Sequence, residues 1–285
     1  MIRVFIDTNI LLGFYQAAAD RLVVFKTLGE LRSRIVFTTQ TRMEFERNRV
    51  VILRRIAKLL TETTKWSPYT TSIIRALPGF DDLTRVRDET QRIAKSMCEA
   101  LQRAIEEPEH DLVLAEFEKL YGDSTVTKVT ITQDLIGRAQ TRKLLGNPPT
   151  SPDKLTAGDE VAWEALLANL HDDLIVVSQD NTFLDNQRLL AAEYEERTGA
   201  KLVAVTPRVS EAIKLLGETP PKEIIAADET LPPLNTPLGP GWKVVAATAY
   251  KGVIQRDDGL MTIIDLPTDV SPGSLLPPST FRTVT

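Results

Sequence analysis

Four short apolar runs punctuate this chain: residues 2–6, 34–38, 174–177 and 201–205, read as Ile-Arg-Val-Phe-Ile, Arg-Ile-Val-Phe-Thr, Leu-Ile-Val-Val and Lys-Leu-Val-Ala-Val. Runs of this length and composition predict strands buried on both faces, the kind that fill a parallel sheet. The segments after them have helical spacing. Leu11, Leu12 and Tyr15, continued by Phe25, Leu28 and Leu31, predict an amphipathic helix. Met43, Val50, Leu53, Ala57 and Leu60 predict the core stripe of a long helix capped by Thr39 or Thr41, with Glu44 and Glu46 near its positive end. Further helices are expected over 157–170, over 183–198 with Gly199 as the stop, and from Pro207 to 216. Strand and helix alternation of this kind predicts an α/β protein.

Two regions break the alternation. Residues 66–150 open with a Pro- and Gly-punctuated loop and continue as helices over about 81–106, 112–120 and 133–145. In the first of these, Val86, Ile93, Met97, Leu101 and Ile105 form the expected buried face. This region reads as an all-helical insertion, closed by Gly146-Asn147-Pro148-Pro149-Thr150-Ser151-Pro152. Residues 217–241 read as a Pro-rich linker. Residues 242–285 follow as a small β appendage with a hairpin turn at Asp257-Asp258-Gly259. The main domain is therefore expected over 1–216.

Charge changes the picture little: 34 Lys and Arg stand against 39 Asp and Glu, for a formal charge of −5. That balance lacks a global basic footprint for nucleic acid. It leaves such a partner open, because carboxylates gathered around a metal lower the net charge while basic helices nearby still meet phosphates. Arg42, Arg47, Arg49, Arg54, Arg55 and Lys58 lie on one predicted helix; a solvated face is the common reading and a phosphate-facing strip the less common one. Cys98 is the single cysteine, so an intramolecular disulfide is excluded and a reducing compartment fits. Only His110 and His171 are present, which argues against a His-based triad or a His-rich metal site. With no apolar run of membrane-spanning length and a strand starting at residue 2, a soluble cytoplasmic protein is expected.

The chemistry is carried by acids at strand ends. The first strand runs into Asp7-Thr8-Asn9 and the third into Ser178-Gln179-Asp180. Parallel neighbours put both carboxylates at one sheet edge, where open α/β sheets bind ligands. The plain alternative is that Asp7, Thr8 or Asn9 simply caps the next helix. Glu44 starts the helix after the second strand and Asp159 the helix before the third, so both are near that edge. Such a cluster repels itself unless a divalent cation neutralises it, and hard oxygen donors select Mg²⁺ or Mn²⁺. A cation so held suits phosphodiester hydrolysis.

Read together, these motifs resemble the PIN-domain nucleases. Phe5-Ile6-Asp7-Thr8-Asn9 is similar to the family's first motif, and Glu44 in Thr41-Arg42-Met43-Glu44-Phe45 to its second acid. Gly158-Asp159-Glu160-Val161-Ala162-Trp163-Glu164 resembles the third motif in the form of a bacterial PIN-like subgroup, and Val176-Val177-Ser178-Gln179-Asp180-Asn181 the fourth. The resemblance implies a three-layer α/β/α fold with strand order 3-2-1-4-5, and Asp7, Glu44, Asp159 and Asp180 as ligands of Mg²⁺ or Mn²⁺. Asn9, Ser178, Glu164 and Asp185 are expected as supporting residues, and Arg47, Arg138, Arg142 and Lys143 as RNA contacts. It implies endonucleolytic cleavage of RNA to a 5′-phosphate and a 3′-hydroxyl. Many small members are toxins, so an antitoxin or defence-system protein is the expected partner class, and an oligomer remains open; this chain is larger than those members. Between Asp159 and Glu164 the ligand is expected to be Asp159, because helix geometry sets the two about 140° apart and the first turn is nearest the sheet edge. Glu164 is then expected on a basic side chain or a water, and Trp163 in the core. Two other readings stay open: a haloacid-dehalogenase-like phosphatase, which wants a second carboxylate where Asn9 stands, and an inactive PIN-like module that binds RNA or protein.

Overall fold

The computed structural model describes residues 1–15, 22–67, 71–151 and 154–229, together with the strands at 237–239, 242–247, 251–256 and 261–265. In chain order the elements are β1 (Ile2–Ile6), α1 (Thr8–Leu12), α2 (Leu22–Glu30), β2 (Ile35–Thr38), α3 (Thr39–Thr64), α4 (Ser72–Arg75), α5 (Phe80–Glu106), α6 (Leu112–Gly122), β3 (Thr127–Val129) and α7 (Gln133–Leu145). They continue with α8 (Gly158–Asn169), β4 (Asp173–Val177), α9 (Asn181–Leu184), α10 (Gln187–Thr198), β5 (Leu202–Thr206), α11 (Val209–Leu215) and α12 (Lys222–Glu229). Four strands end the chain: β6 (Pro237–Gly239), β7 (Trp242–Ala247), β8 (Lys251–Arg256) and β9 (Met261–Asp265).

The main sheet is parallel with strand order β3-β2-β1-β4-β5, as the resemblance implies. Alternate side chains of each strand feed the two faces. Val4, Ile6, Ile35, Phe37, Ile175 and Val177 pack on one side, against Leu11, Phe25, Phe45 and Phe117 of α1, α2, α3 and α6. Phe5, Val36, Leu174 and Val176 pack on the other, against Leu135, Trp163, Leu166 and Tyr194 of α7, α8 and α10. The result is three layers, α/β/α. Phe5 pairs with Val36 of β2 and Val176 of β4, so the carboxyl ends of the three central strands are level. Strand order reverses at β1, between β2 and β4, the kind of switch point at which open α/β sheets bind their ligands.

Several expectations are corrected. Residues 66–150 are not all helical: Thr127–Val129 joins the sheet as edge strand β3, pairing Phe37 with Lys128. Three residues of Thr-Lys-Val carry too little apolar content to signal a strand. Residues 222–229 of the expected linker form α12, whose Ile224 is fully buried in the core and whose Asp228 accepts from Val209 N and Ser210 N at the start of α11. The helix expected from Leu11 through Leu31 is in fact a short α1, a 3₁₀ turn over Gly13–Tyr15, and α2 after residues outside the description. The Asp257-Asp258-Gly259 turn also lies outside the described residues. β6 to β9 form their own antiparallel sheet.

The long helices differ from expectation in their faces. α3 is capped by Thr38, one residue before Thr39 and three before Thr41, in a reciprocal box with Thr41. Its buried stripe is Thr41, Phe45, Arg49 and Leu53, whereas Met43 is 61% exposed. α5 runs antiparallel to α3, since Arg49 reaches the carbonyls of Ala104 and Ile105 while Cys98 meets Ala57 and Thr61. It packs through Ala94, Cys98 and Ala104, and Val86, Ile93 and Met97 are exposed rather than buried. Among the described residues no helix is long and apolar enough to cross a membrane.

Candidate active site

β1 delivers Asp7 to the carboxyl edge, where its backbone N–H continues the ladder by donating to Val177 O at 2.9 Å. Asp7 occupies the N-cap position of α1 but makes no capping bond with its side chain. Its carboxylate instead accepts from Ser178 Oγ at 2.5 Å and Asn9 Nδ2 at 2.8 Å. Ser178, fully buried at the end of β4, also accepts the N–H of Asp180 at 3.0 Å. Asn9 Oδ1 accepts the N–H of Gln179, so the ends of β1 and β4 are tied by side chains as well as by the sheet.

Three more carboxylates surround Asp7. Glu44, on the second turn of α3, accepts from Gln40 Nε2 at 2.8 Å and Thr8 Oγ1 at 3.3 Å. Asp159 stands in the first turn of α8, within 3.4 Å of Thr182 Oγ1. Asp180 caps α9, accepting from Thr182 N at 2.9 Å. The ammonium of Lys154 lies between the last two: it is 3.0 Å from Asp159 and also ion-pairs with Asp180. Gly158 explains how α3 and α8 come so close, because a Cβ there would stand 2.1 Å from Glu44 Oε1.

Charge is unbalanced here. Burial pushes the Asp7 carboxyl up to about 7, and the neighbouring Asp159 and Glu44 add to the rise against the Ser178 bond. Burial also raises Asp159, with Lys154 opposing and Asp180 and Glu44 reinforcing it. Burial acts on Asp180 in the same sense, but its bonds from Lys154 and the Thr182 N–H outweigh it and hold this group below the usual range. Four carboxylates thus gather at this edge, with Lys154 between Asp159 and Asp180, exposed Arg47 beside Glu44, and no His or Cys among them. An all-oxygen donor set of this kind fits a hard divalent cation. Among the described residues, the only three His, Cys or acidic side chains whose donor atoms lie within 4.8 Å of one another are Glu107, Glu109 and His110. They stand on an exposed 3₁₀ turn where His110 pairs with Glu107, and the four edge carboxylates are spread more widely than they are.

The other expected residues divide. Asn9 and Ser178 join the site through Asp7. Glu164 does not: it is buried against Arg142 and Arg197, the basic partner anticipated for it. Asp185 is exposed on the far end of α9. Arg142 is corrected as an RNA contact, because it is buried and held by Glu164, Glu193 and Pro148 O. Lys143 is committed to Thr156 O at 2.6 Å and faces Glu160. Arg138 pairs with Asp134 at 2.8 Å beside a groove of about 560 Å³ that lies away from the acids, between α7 and Arg197. Arg47 is exposed and lies 3.7 Å from Glu44. Trp163 is fully buried, with its indole N–H on Glu193 at 2.9 Å. Lys154, Gln40 and Gly158 were not singled out from sequence; Gly158 alone had a signal, as the small residue preceding the third acid.

A 3-2-1-4-5 parallel sheet with acids at its carboxyl edge is the arrangement of a PIN-like nuclease fold. The chain belongs to the PIN-domain family, whose model, described as "PIN domain", matches residues 4–183. No curated protein and no solved structure matches it.

Proposed function

We propose that this chain is a divalent-metal-dependent endoribonuclease acting in the cytoplasm, with Asp7, Glu44, Asp159 and Asp180 as the ligands of Mg²⁺ or Mn²⁺. The observation that carries the reading is the gathering of these four carboxylates at one sheet edge, close enough to act on one another's charge, with Lys154 between Asp159 and Asp180. A bound cation would neutralise the cluster, polarise a phosphodiester and activate water for in-line displacement. The chain's own residues prepare that chemistry. Ser178 and Asn9 fix the rotamer of Asp7, Gln40 and Thr8 turn Glu44 towards the site, and the Thr182 N–H orients Asp180. Lys154 holds Asp159 and Asp180 in place until a cation takes its role.

Asn9 argues against the phosphatase alternative. Its amide donates to Asp7 at the position where that chemistry wants a second carboxylate. Retention of all four acids argues against an inactive module, since like charges kept together without a counter-ion cost stability. The test is incubation of labelled single-stranded RNA and DNA with Mg²⁺, Mn²⁺ or EDTA, using Asp7→Asn as control. Metal-dependent cleavage of RNA, lost in EDTA and in the variant, is the expected result. Cleavage that persists in EDTA would overturn the metal role, and preferential hydrolysis of small phosphomonoesters would favour the phosphatase.

A further inference from the structure

We propose that the outer face of α3 is a track for a single polynucleotide strand, leading along the helical hairpin to the acid cluster. The inference rests on the nuclease reading and deepens it, by naming where the strand runs.

Gln40, Glu44, Arg47, Val51, Arg54, Lys58 and Lys65 recur at spacings of three, four and finally seven residues, so they share one face of α3 and its end. The face starts inside the site, at Gln40 and Glu44. It then turns basic: Arg47, Arg54, Lys58 and Lys65 are all exposed, against Glu62 as the acid on that side. α5 meets α3 at Arg49, Ala57 and Thr61; Arg49 lies on the side of α3 opposite the basic residues, which stay exposed.

The usual explanation of a charged helix face is a solvated surface laced with i,i+3 and i,i+4 pairs. α5 fits it at Arg85, Arg87, Arg92 and Lys95, each with an acid within 4.0 Å, and Arg103 is its one exception among the described residues. α3 departs from it. Among the described residues neither Arg54 nor Lys65 has an acidic partner, and the acid beside Arg47 is Glu44 of the site itself. A cation at the helix C-terminus, such as Lys65, is also favoured by the dipole. That does not account for Arg54 or for the alignment with Glu44. From Glu44 to Lys65 the helix rises about 31 Å, enough for roughly nine stacked nucleotides at 3.4 Å each.

The experiment measures binding in EDTA, where no metal-dependent cleavage intervenes. Fluorescently labelled RNA and DNA strands of 4, 12 and 24 nucleotides are titrated against the full chain at several salt concentrations. The variant Arg54→Gln/Lys58→Gln/Lys65→Gln keeps good helix formers at all three positions, and its thermal midpoint checks the fold. Arg85→Gln/Arg92→Gln/Lys95→Gln on α5 is the charge-matched control. Affinity should rise from the 4-mer to the 12-mer. The α3 variant should bind the 12-mer at least tenfold more weakly, with the slope of log K against log salt reduced by about 2. Comparison of RNA with DNA shows which strand the track prefers. Equal weakening by the α5 control, or an α3 variant with unchanged affinity and slope, overturns the track. A strand that binds in this way but is never cleaved with Mg²⁺ or Mn²⁺ would instead overturn the nuclease reading, leaving the track intact.

Discussion

At the scale of single residues, the site buries a carboxylate among other acids, and the cost of charging it should be visible in stability. Asp7 titrates near 7 in the folded chain against an ordinary 3.8. Between those values the folded state holds a proton that the unfolded state has released, so this group's contribution falls as pH rises through that window. At 1.36 kcal/mol per unit, the loss is on the order of 4 kcal/mol at most. Asp159 acts in the same direction, whereas Asp180, held low, contributes stability that disappears only in acid. The thermal midpoint in EDTA should therefore drop between pH 5 and pH 8, and Asp7→Asn should flatten that drop. A wild-type profile as flat as the variant's would remove the charge-frustration account. Gly158→Ala makes a second test. The new Cβ meets only the mobile end of Glu44, so the fold should survive while Glu44 is displaced. Activity should fall by at least tenfold with a midpoint shift of no more than a few degrees. Asp7, Glu44 and Asp180 were legible because each follows an unmistakable strand. Lys154 was not, because a lysine in a loop carries no periodic signal and its role exists only once β4 and α8 are folded.

At the scale of elements, α8 sends two acids to different surroundings within six residues. Asp159 faces the sheet edge, whereas Glu164, a turn later, is buried with Arg142, Glu193 and Arg197. Arg142 comes from α7 and Glu193 from α10, so this network ties three helices on one side of the sheet. Removing one member leaves the others charged and buried, which typically costs about 3–5 kcal/mol. Glu164→Gln should accordingly lower the thermal midpoint clearly while leaving metal-dependent cleavage per folded molecule within a few-fold of wild type. Asp159→Asn should show the reverse, with cleavage down by orders of magnitude and a midpoint no lower than wild type. The opposite pattern would exchange their roles. Helix geometry anticipated this division, because an angular offset of about 140° is local to the helix. The faces of α3 and α5 were harder to read. Arg49 displaces an apolar residue from the buried stripe because Asp111 and two carbonyls satisfy its guanidinium. Val86, Ile93 and Met97 keep perfect helical spacing yet are uncovered, and periodicity does not reveal which side a neighbour occupies.

At the scale of the whole molecule, the alternation of strands and helices made the parallel sheet legible, and its order followed from the resemblance of four motifs. Two pieces escaped: β3, too short and polar to register, and α12, hidden between prolines. α12 now decides where the chain can be cut. Its Ile224 is fully buried among the residues of one core layer, and Asp228 accepts the first N–H groups of α11, satisfying donors that a helix start otherwise leaves open. A truncation after Gly217 would remove both. It should lower the midpoint by several degrees or more, since a buried isoleucine and a helix cap each contribute on the order of 1–3 kcal/mol. A truncation after Glu229 removes residues 230–285, including the β6–β9 sheet, and none of the four acids. That shorter chain should keep the wild-type midpoint and cleave short RNA with Mg²⁺ or Mn²⁺ as the full chain does. Loss of cleavage by the 1–229 chain, with its midpoint unchanged, would give the terminal sheet a direct part in catalysis.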